Sequence, residues 1–470
     1  MNRVTVLKFG GTSIQDAAAI RRVTDIVAGR KNETLVALFS ALNQATNTLI
    51  RVAKKSALGD IETARRLLDG LLSRHTSLIN EVIINPSSRS RLLEKTTDYF
   101  HEAKNLATGL SLTREFSLRS LDYIVGFGEL ASSGILTASL QERGIPAQWV
   151  NAREWMVTND DFGHAHPDIK ILPRRAQELF FPILEQGIIP ITQGFIGATE
   201  ENGQYTPTTL GLEGSDYSAA LLSYALDAQH VEIWTDVDGI LTSDPRIVSK
   251  SQPIACLSYE EAAQLTLFGL KALHPSTLLP VSEKRIPLRV RNSFRAKSPG
   301  TWILPHEQIK ETPAQSIKSI TCKKNVTRIT VHAPPHHVPI SFFGSIYELF
   351  NKFDVTIDLV TTAHRHISMA FTETEETAHM LRELEIFSPF VMQRNKAIVT
   401  LVGDLASQPG SLFEAIFRQV SEDRISMICY GASDNSLSFL TCRDQADSIL
   451  RNLHRHFFET AEEIPQEVKS

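Results

Sequence analysis

Two short stretches carry residues that could do chemistry. The first is Lys8-Phe9-Gly10-Gly11-Thr12-Ser13, a cation and a glycine pair closing the apolar run Val4 to Phe9. A buried ammonium costs free energy unless something negative meets it. The second runs from Thr208 to Arg246. Gly211 and Gly214 lie in its loop, Ser215 and Asp216 stand where a helix should begin, and Ala219, Leu222, Ala225 and Leu226 recur at helical spacing. A glycine loop opening onto a helix N-terminus offers free N–H groups and partial positive charge, which suits phosphate. The plainer reading makes Asp216 the N-cap of an ordinary βα unit. On this stretch alone both readings stand. His230 to Trp234 reads as a strand, and Thr235 to Arg246 as a turn-rich loop leaving its carboxyl end, where ligands sit in open α/β sheets.

The elements around these stretches alternate. Val4–Phe9 and Leu35–Phe39 are strands flanking a helix with Ile20, Val23 and Val27 on one face, and the polar set Ser40, Asn43, Thr46 and Asn47 follows the second strand. That βαβ opening predicts a parallel sheet. Residues 51–140 read as mostly helical. Gly126, Gly128 and Ala131 match GxGxxA, but Leu118, Leu121 and Val125 follow helical spacing, and a dinucleotide fingerprint needs a strand before it. Glu129 therefore sits inside a helix, where spacing alone reads it as a solvated face. Gln148–Asn151, Ile188–Thr192 and Ile286–Val290 read as strands, and Leu257–Lys271 as a helix. Asp161-Phe162-Gly163 has no HRD loop before it, so it does not indicate a protein kinase, and no GxxxxGK[ST] occurs.

These patterns predict an α/β domain over residues 1–305 and a linker over 306–315. Beyond the linker come two β-α-β-β-α runs, a pattern of ferredoxin-like modules, at 323–394 and 395–460, followed by an acidic tail, 461–470. The second run has no closing strand of its own, and the spare strand Ser316–Cys322 is expected to fill that edge.

Composition narrows the classes. The chain has 470 residues, 42% hydrophobic and 21% charged, with net charge -5 and no long basic run, which argues against nucleic acid as a partner. Cys256, Cys322, Cys429 and Cys442 form no CxxC, so neither a zinc site nor a disulfide framework is indicated. The N-terminus enters a strand directly, and no apolar run reads as long enough to span a bilayer, so the expected location is the cytoplasm, with no membrane partner.

KFGGTS (Lys8–Ser13), TQGFIG (Thr192–Gly197), GSDYSAALL (Gly214–Leu222), WTDVDGILTSDPR (Trp234–Arg246), FGLKALHP (Phe268–Pro275), VTIDLVTT (Val355–Thr362) and ISMICYGAS (Ile425–Ser433) stand in one order along the chain. In that order they resemble the aspartate kinase family, and within it the monofunctional, lysine-sensitive type. The resemblance implies an amino-acid-kinase fold, a parallel-rich open sheet with helices on both faces, followed by two ferredoxin-like βαββαβ ACT domains. It implies transfer of the ATP γ-phosphoryl to the side-chain carboxylate of aspartate, giving 4-phospho-L-aspartate. Such a reaction needs positioning and charge neutralisation more than covalent participation. By the resemblance Lys8 and Asp216 are catalytic, and Gly10, Gly11 and Ser13 bind phosphate. Ser40, Thr46, Glu129, Phe195 and Ser215 line the amino-acid pocket, with Glu129 meeting the substrate ammonium. Thr235, Asp236, Leu241, Asp244, Arg246 and Lys271 surround the nucleotide, with Mg2+ held mainly by phosphate oxygens. Asp358 and Thr362 meet an amino-acid effector, lysine by family type, at a junction of a homodimer or dimer of dimers.

Three departures stand against the pattern. The family usually has GRGGSD or GREGSD, whose arginine binds a substrate carboxylate; here Leu212 takes that place in GLEGSD. Leu241 stands where an aromatic residue is common. Ala363 and His364 replace the serine and glutamate that often follow the effector aspartate. Two alternatives therefore remain: a related kinase acting on another amino-acid carboxylate, and a weakly catalytic, amino-acid-binding regulator.

Overall fold

The computed structural model describes residues 4–30, 32–201, 203–211, 214–269, 273–309, 317–335, 338–405, 409–420 and 425–459. The chain divides into two compact units: Met1–Gly239 with Ala255–Leu257 and Ala272–Gln308, and Ile240–Ile254 with Ser258–Lys271 and Ile309–Ser470.

The first unit is built on β1 (Thr5–Phe9), α1 (Ala17–Ala28), β2 (Leu35–Phe39), α2 (Ala45–Ala57), α3 (Ile61–Val82), α4 (Pro86–Thr113), α5 (Leu118–Glu142), β3 (Ala147–Trp149), α6 (Ala152–Trp155), α7 (Leu172–Glu185), β4 (Ile189–Gln193), β5 (Ile196–Glu201), β6 (Gln204–Thr209), α8 (Gly214–Ala225) and β7 (His230–Thr235). Its sheet runs β3-β4-β2-β1-β7 and continues through three later strands, in the order β9 (Leu288–Asn292), β10 (Thr301–Leu304) and β8 (Cys256–Ser258). β1 pairs parallel with β2 and β7, placing Lys8 opposite Leu38 and Ile233 in a strand buried along its whole length. Such strands read as continuous apolar runs because helices cover both faces. Phe9 stacks on Phe39 at 5.4 Å and on Trp234 at 5.7 Å, so three adjacent strands share one aromatic layer.

The long helices form where expected. Asn85 caps α4, with Pro86 at its first position, and Ser117 caps α5. Contrary to the expectation from sequence, α5 is long and apolar enough in composition to cross a membrane, yet most of it is buried inside this unit and it carries Asp122 and Glu129. The antiparallel pair β5–β6 does not follow from the sequence pattern, since IGATEE and QYTPTT lack apolar alternation.

Glu232, in the middle of β7 and 1% exposed, shows how this unit tolerates charge. Arg30 Nη1 donates to it at 2.5 Å and Trp234 Nε1 at 3.0 Å, while Arg291 Nη1 lies at 3.5 Å. Burial alone would raise its pKa. The His230 hydrogen bond and the charges of Arg30 and Arg291 outweigh burial and pull it down to about 2. A depressed carboxylate stabilises the fold above its unfolded pKa and loses that contribution as pH falls from about 4.5 towards about 2. Glu232→Gln is therefore expected to cost on the order of 3 kcal/mol in denaturant unfolding at pH 7. The difference should shrink as pH drops below 4.5. Equal stability of the two proteins at pH 7 would contradict this account.

The second unit holds α9 (Tyr259–Leu267) and a six-stranded sheet in the order β12-β13-β11-β14-β16-β15. β11 spans Ile317–His332, β12 Ile357–Ala363, β13 His366–Thr372, β14 Phe390–Gly403, β15 Met427–Tyr430 and β16 Ser436–Cys442. Helices α11 (Pro339–Lys352), α12 (Thr377–Phe387), α13 (Pro409–Gln419) and α14 (Arg443–His454) complete it; α10 (Leu278–Glu283) belongs to the first unit. Two strands predicted within 316–332 are one continuous β11. Asn325, at φ 63°, and a register shift between Lys324 and Val326 absorb the break without ending the pairing. Ile317–Lys324 pairs with Ala397–Gly403, and Arg328–Val331 with Phe390–Gln393, so two ferredoxin-like modules share both long strands. The segments 240–254 and 258–269 lie within the predicted 1–305 domain but pack with this unit. Val248 enters the core of Ile320, Leu401 and Leu450; Thr242 Oγ1 meets His454 Nε2 at 2.9 Å; Lys318 Nζ meets Glu261 at 2.8 Å.

Candidate active site

The carboxyl edge of the first sheet gathers the site. Lys8 is the penultimate residue of β1, at 8% exposure, and its ammonium forms an ion pair with Asp216. That contact is the negative partner the buried strand requires. α8 begins at Gly214, so Asp216 lies in its first turn rather than capping it, where the helix dipole also favours a carboxylate. α8 can approach β4 so closely because residue 194 is glycine: a Cβ there would sit 2.6 Å from Ser215 Cβ. Phe195 follows at φ 69°, its N–H donating to Ser218 Oγ at 2.9 Å, and its buried ring packs near Gly214. Ser215 and Phe195 are thus joined to the Lys8–Asp216 pair by backbone, not by chance proximity.

The glycine turn after β1 is tied to its neighbours by two hydrogen bonds. The Gly10 N–H donates to the Trp234 carbonyl at 3.1 Å, which uses it up. Ser13 is fully buried, and its hydroxyl donates to Ser293 Oγ at 2.8 Å. Ser13 therefore ties this turn to the loop after β9. The Gly11 N–H opens a 3-10 turn, whose first N–H groups have no acceptor within the turn.

α5 contributes a stripe at helical spacing: Asp122, Gly126, Glu129 and Ser133. Asp122 accepts from Gly163 N (2.9 Å), Thr209 N (3.0 Å) and Thr209 Oγ1 (2.6 Å), fixing β6 just before the Gly211 loop. Ser133 Oγ accepts from Gln193 Nε2 at 2.9 Å, and Gln193 Oε1 in turn holds Ala152 N at 2.8 Å. Glu129 is 2% exposed, so the solvated-face reading does not hold. Its Oε1 accepts from Ala41 N at 3.3 Å, while Oε2 has no hydrogen-bond partner among the described residues. Burial pushes its carboxyl up to about 8, against the smaller downward pull of the Ala41 N–H, its own N–H and the Thr46 side chain. A buried carboxyl with one open oxygen suits a ligand cation. Ser40 follows β2 beside it, its carbonyl accepting from Ser132 Oγ at 2.7 Å.

The expected nucleotide set is divided. Thr235 ends β7 and Asp236 follows it, with the Thr235 carbonyl accepting from Ser293 N at 2.8 Å. Leu241, Asp244 and Arg246 belong to the second unit, where Arg246 Nη2 meets Asp244 at 2.6 Å. Lys271 and Leu212 lie outside the described residues. In the second unit Asp358, on β12, is met by Lys323 Nζ at 2.6 Å; Thr362 lies further along the same strand. Sequence does not single out Asp122 as a site-building residue, whereas Arg153 and Arg174 are the cations it offers in place of the arginine that Leu212 replaces. The only signal for Asp122 was its spacing from Glu129.

A mainly parallel sheet carries a buried cation–carboxylate pair near its carboxyl edge, and a buried, partly unpartnered glutamate meets the backbone just after the neighbouring strand β2, features that suit a small ligand bearing charges of both signs. The sequence profile of the amino acid kinase family matches residues 3–292, and the chain belongs to that family. Over its length it is similar to the lysine-sensitive aspartokinase 3 of Escherichia coli, with 35% identity over 98% of this chain and 100% of that one. Identity to the chloroplastic aspartokinase 1 of Arabidopsis thaliana is 30%, over 97% of this chain and 80% of the relative. The crystal structure of E. coli aspartokinase III with aspartate and ADP aligns at a TM-score of 0.82 and 33% identity, covering 97% of this chain and 100% of the other. The same enzyme with lysine and aspartate aligns at 0.79 and 32%, with the same coverage.

Proposed function

We propose that this chain is an ATP-dependent kinase that phosphorylates the side-chain carboxylate of aspartate, under control of an amino acid bound by its ACT-like modules. The Lys8–Asp216 ion pair at the sheet edge carries this reading, together with the buried Glu129 that meets Ala41 just after β2. Phosphoryl transfer spreads negative charge over the moving group, and a preorganised cation there lowers the barrier. The Lys8 ammonium supplies that cation, and Asp216 holds it in place. Glu129 and Thr46 take the α-ammonium of the acceptor, orienting its side-chain carboxylate towards Lys8. Mg2+ is part of the proposal as the counter-ion of the nucleotide phosphates. So is a homodimer or larger assembly through the C-terminal modules. Lysine is the effector the reading favours, and there Lys323 already neutralises Asp358, so an effector ammonium would compete with it.

Leu212 supports one second reading, a kinase for another amino-acid carboxylate, because the sequence places an apolar side chain where the family has its carboxylate-binding arginine. ADP release measured across aspartate, glutamate and other amino acids separates the two. Aspartate should give the highest kcat/KM; preference for another acceptor would favour the second reading. In the same assay Asp216→Asn should lower kcat by at least about a hundredfold while the melting temperature moves by a few degrees, since it removes the charge that orients Lys8. Retained turnover would reduce Asp216 to a structural role.

A further inference from the structure

Three loops leave the carboxyl ends of neighbouring parallel strands in the first unit: the turn Gly11–Ile14 after β1, residues 236–239 after β7, and residues 293–299 after β9. Nothing in the sequence of the third, which begins Ser293-Phe294-Arg295 directly after Asn292, marks it as a site. Its residues nevertheless bond to both of the others. Ser13 and Ser293 are fully buried. A hydroxyl has one proton to give, and a carbonyl can only accept. The Ser293 hydroxyl therefore donates to the Thr235 carbonyl at 3.0 Å, alongside the Ser293 N–H at 2.8 Å. The Ser293 oxygen then accepts from the Ser13 hydroxyl at 2.8 Å. This relay runs one way, from Ser13 through Ser293 to Thr235. Asn292, 2% exposed at the end of β9, adds a second link. Its Oδ1 accepts from the Phe294 and Arg295 N–H groups at 2.8 and 3.2 Å, which shapes its own loop. Its Nδ2 donates to the Asp238 carboxylate at 2.7 Å, which holds the loop after β7.

The turn held by Ser13 is the one beside the Lys8 ammonium. A Cβ built on Gly10 would lie 3.5 Å from Lys8 Nζ and 3.7 Å from the Trp234 carbonyl, so the Gly10 backbone, the ammonium and the end of β7 share one small space. On the β2 side the turn is fixed by main chain. Asn43 N donates to the Gly11 carbonyl at 3.2 Å, and a Cβ on Gly11 would sit 2.8 Å from the Ala41 carbonyl. On the β7 side it is held by one backbone bond, from Gly10 N to the Trp234 carbonyl, and by the buried hydroxyls. A shift of about 1 Å between reacting groups costs on the order of a hundredfold in rate, so what fixes this turn against β7 bears on the chemistry.

We propose that Ser293 and Asn292 are positioning residues for phosphoryl transfer, holding the turn beside Lys8 and the segment Thr235 to Asp238 in one fixed relation so that the nucleotide phosphates meet the ammonium. This rests on the aspartate kinase reading. The test measures steady-state kinetics for both substrates, and ADP binding by calorimetry, in Ser293→Ala, Ser293→Cys, Ser13→Ala, the Ser13→Ala/Ser293→Ala double variant and Asn292→Asp. Ser293→Ala should lower kcat by about ten- to a hundredfold and weaken ADP binding about tenfold, with the aspartate KM within about threefold of native. The double variant should fall no more than about twofold below the worse single one, because the two hydroxyls act as one relay. Asn292→Asp keeps the acceptor but sets a second carboxylate against Asp238; it should raise the KM for ATP about tenfold and leave that for aspartate unmoved. A kcat and an ADP affinity within twofold of native in Ser293→Ala would overturn the proposal even if stability falls, since the hydroxyl would then only pack the loops together. If that variant does not fold, native kinetics in Ser293→Cys, which fills the same space with a weak donor, would overturn it. Losses that multiply in the double variant would overturn the relay. A native enzyme that binds ADP but phosphorylates no amino acid would sink the functional reading itself, an outcome distinct from an active enzyme indifferent to Ser293→Ala.

Discussion

Lys8→Ala is expected to lower kcat by about a thousandfold or more while leaving the aspartate KM within a few-fold, because the ammonium acts on charge that develops in transfer. Stability will change as well. The side chains of Lys8 and Asp216 are both largely buried, and removing one member of such a pair costs about 3–5 kcal/mol by stranding the other charge. The two effects are separable. Asp216→Asn added to Lys8→Ala removes the stranded carboxylate and should restore much of the lost stability, but none of the lost turnover. Kinetics and denaturant unfolding on both single variants and the double variant close the cycle. Turnover within tenfold of native in Lys8→Ala, or recovery of turnover in the double variant, would show that Lys8 matters only as a partner for Asp216.

The pair that carries this prediction was legible in the sequence because each member breaks a local rule. Lys8 is a cation in a run of buried apolar residues, and Asp216 is an anion at a helix start after two glycines. Their meeting follows from parallel pairing of β1 with β7, which is the kind of long-range fact that βα alternation predicts. Other parts of the site gave no such sign. Ser13 is one hydroxyl in a glycine turn, and only the fold shows its commitment to Ser293. Asp122, Gly126 and Glu129 share one face of α5, yet a polar stripe on a helix reads as a solvated face until the helix is known to be buried. The grouping of Ile240–Ile254 with the C-terminal unit rests on Val248, whose neighbours in the core lie some seventy and two hundred residues further along. Local periodicity carries no information at that range. Asn325 illustrates the opposite case: a polar residue that reads as a strand end is tolerated inside a strand, because a left-handed residue at a bulge keeps both neighbours paired.

Aspartate binding is expected to depend on pH through Glu129. In the free protein its carboxyl titrates at about 8, raised by burial, so at neutral pH it carries a proton. An ammonium ligand binds the carboxylate, and binding must therefore expel that proton. The KM for aspartate should rise roughly tenfold for each pH unit below 8 and level off above it, while kcat at saturating aspartate stays nearly flat. Stability should move the other way. A carboxyl whose folded pKa is raised contributes stability that is fully present below about 4.5 and is lost as pH rises through about 8. The ligand-free protein should thus weaken across that interval, and saturating aspartate should offset the loss by supplying the missing cation. Glu129→Gln keeps the size and hydrogen bonding of the side chain without the charge. It should raise the KM at pH 8.5 by on the order of a hundredfold, as loss of a charge-assisted contact of ~1.5–3 kcal/mol implies. It should also flatten the pH profile of KM and make the ligand-free protein more stable than native above pH 8. Native enzyme with a KM for aspartate constant from pH 6 to pH 9 would show that Glu129 either keeps its charge in the free protein or never meets the substrate. Glu129→Gln separates these two cases, because a large rise in KM at every pH belongs only to the first.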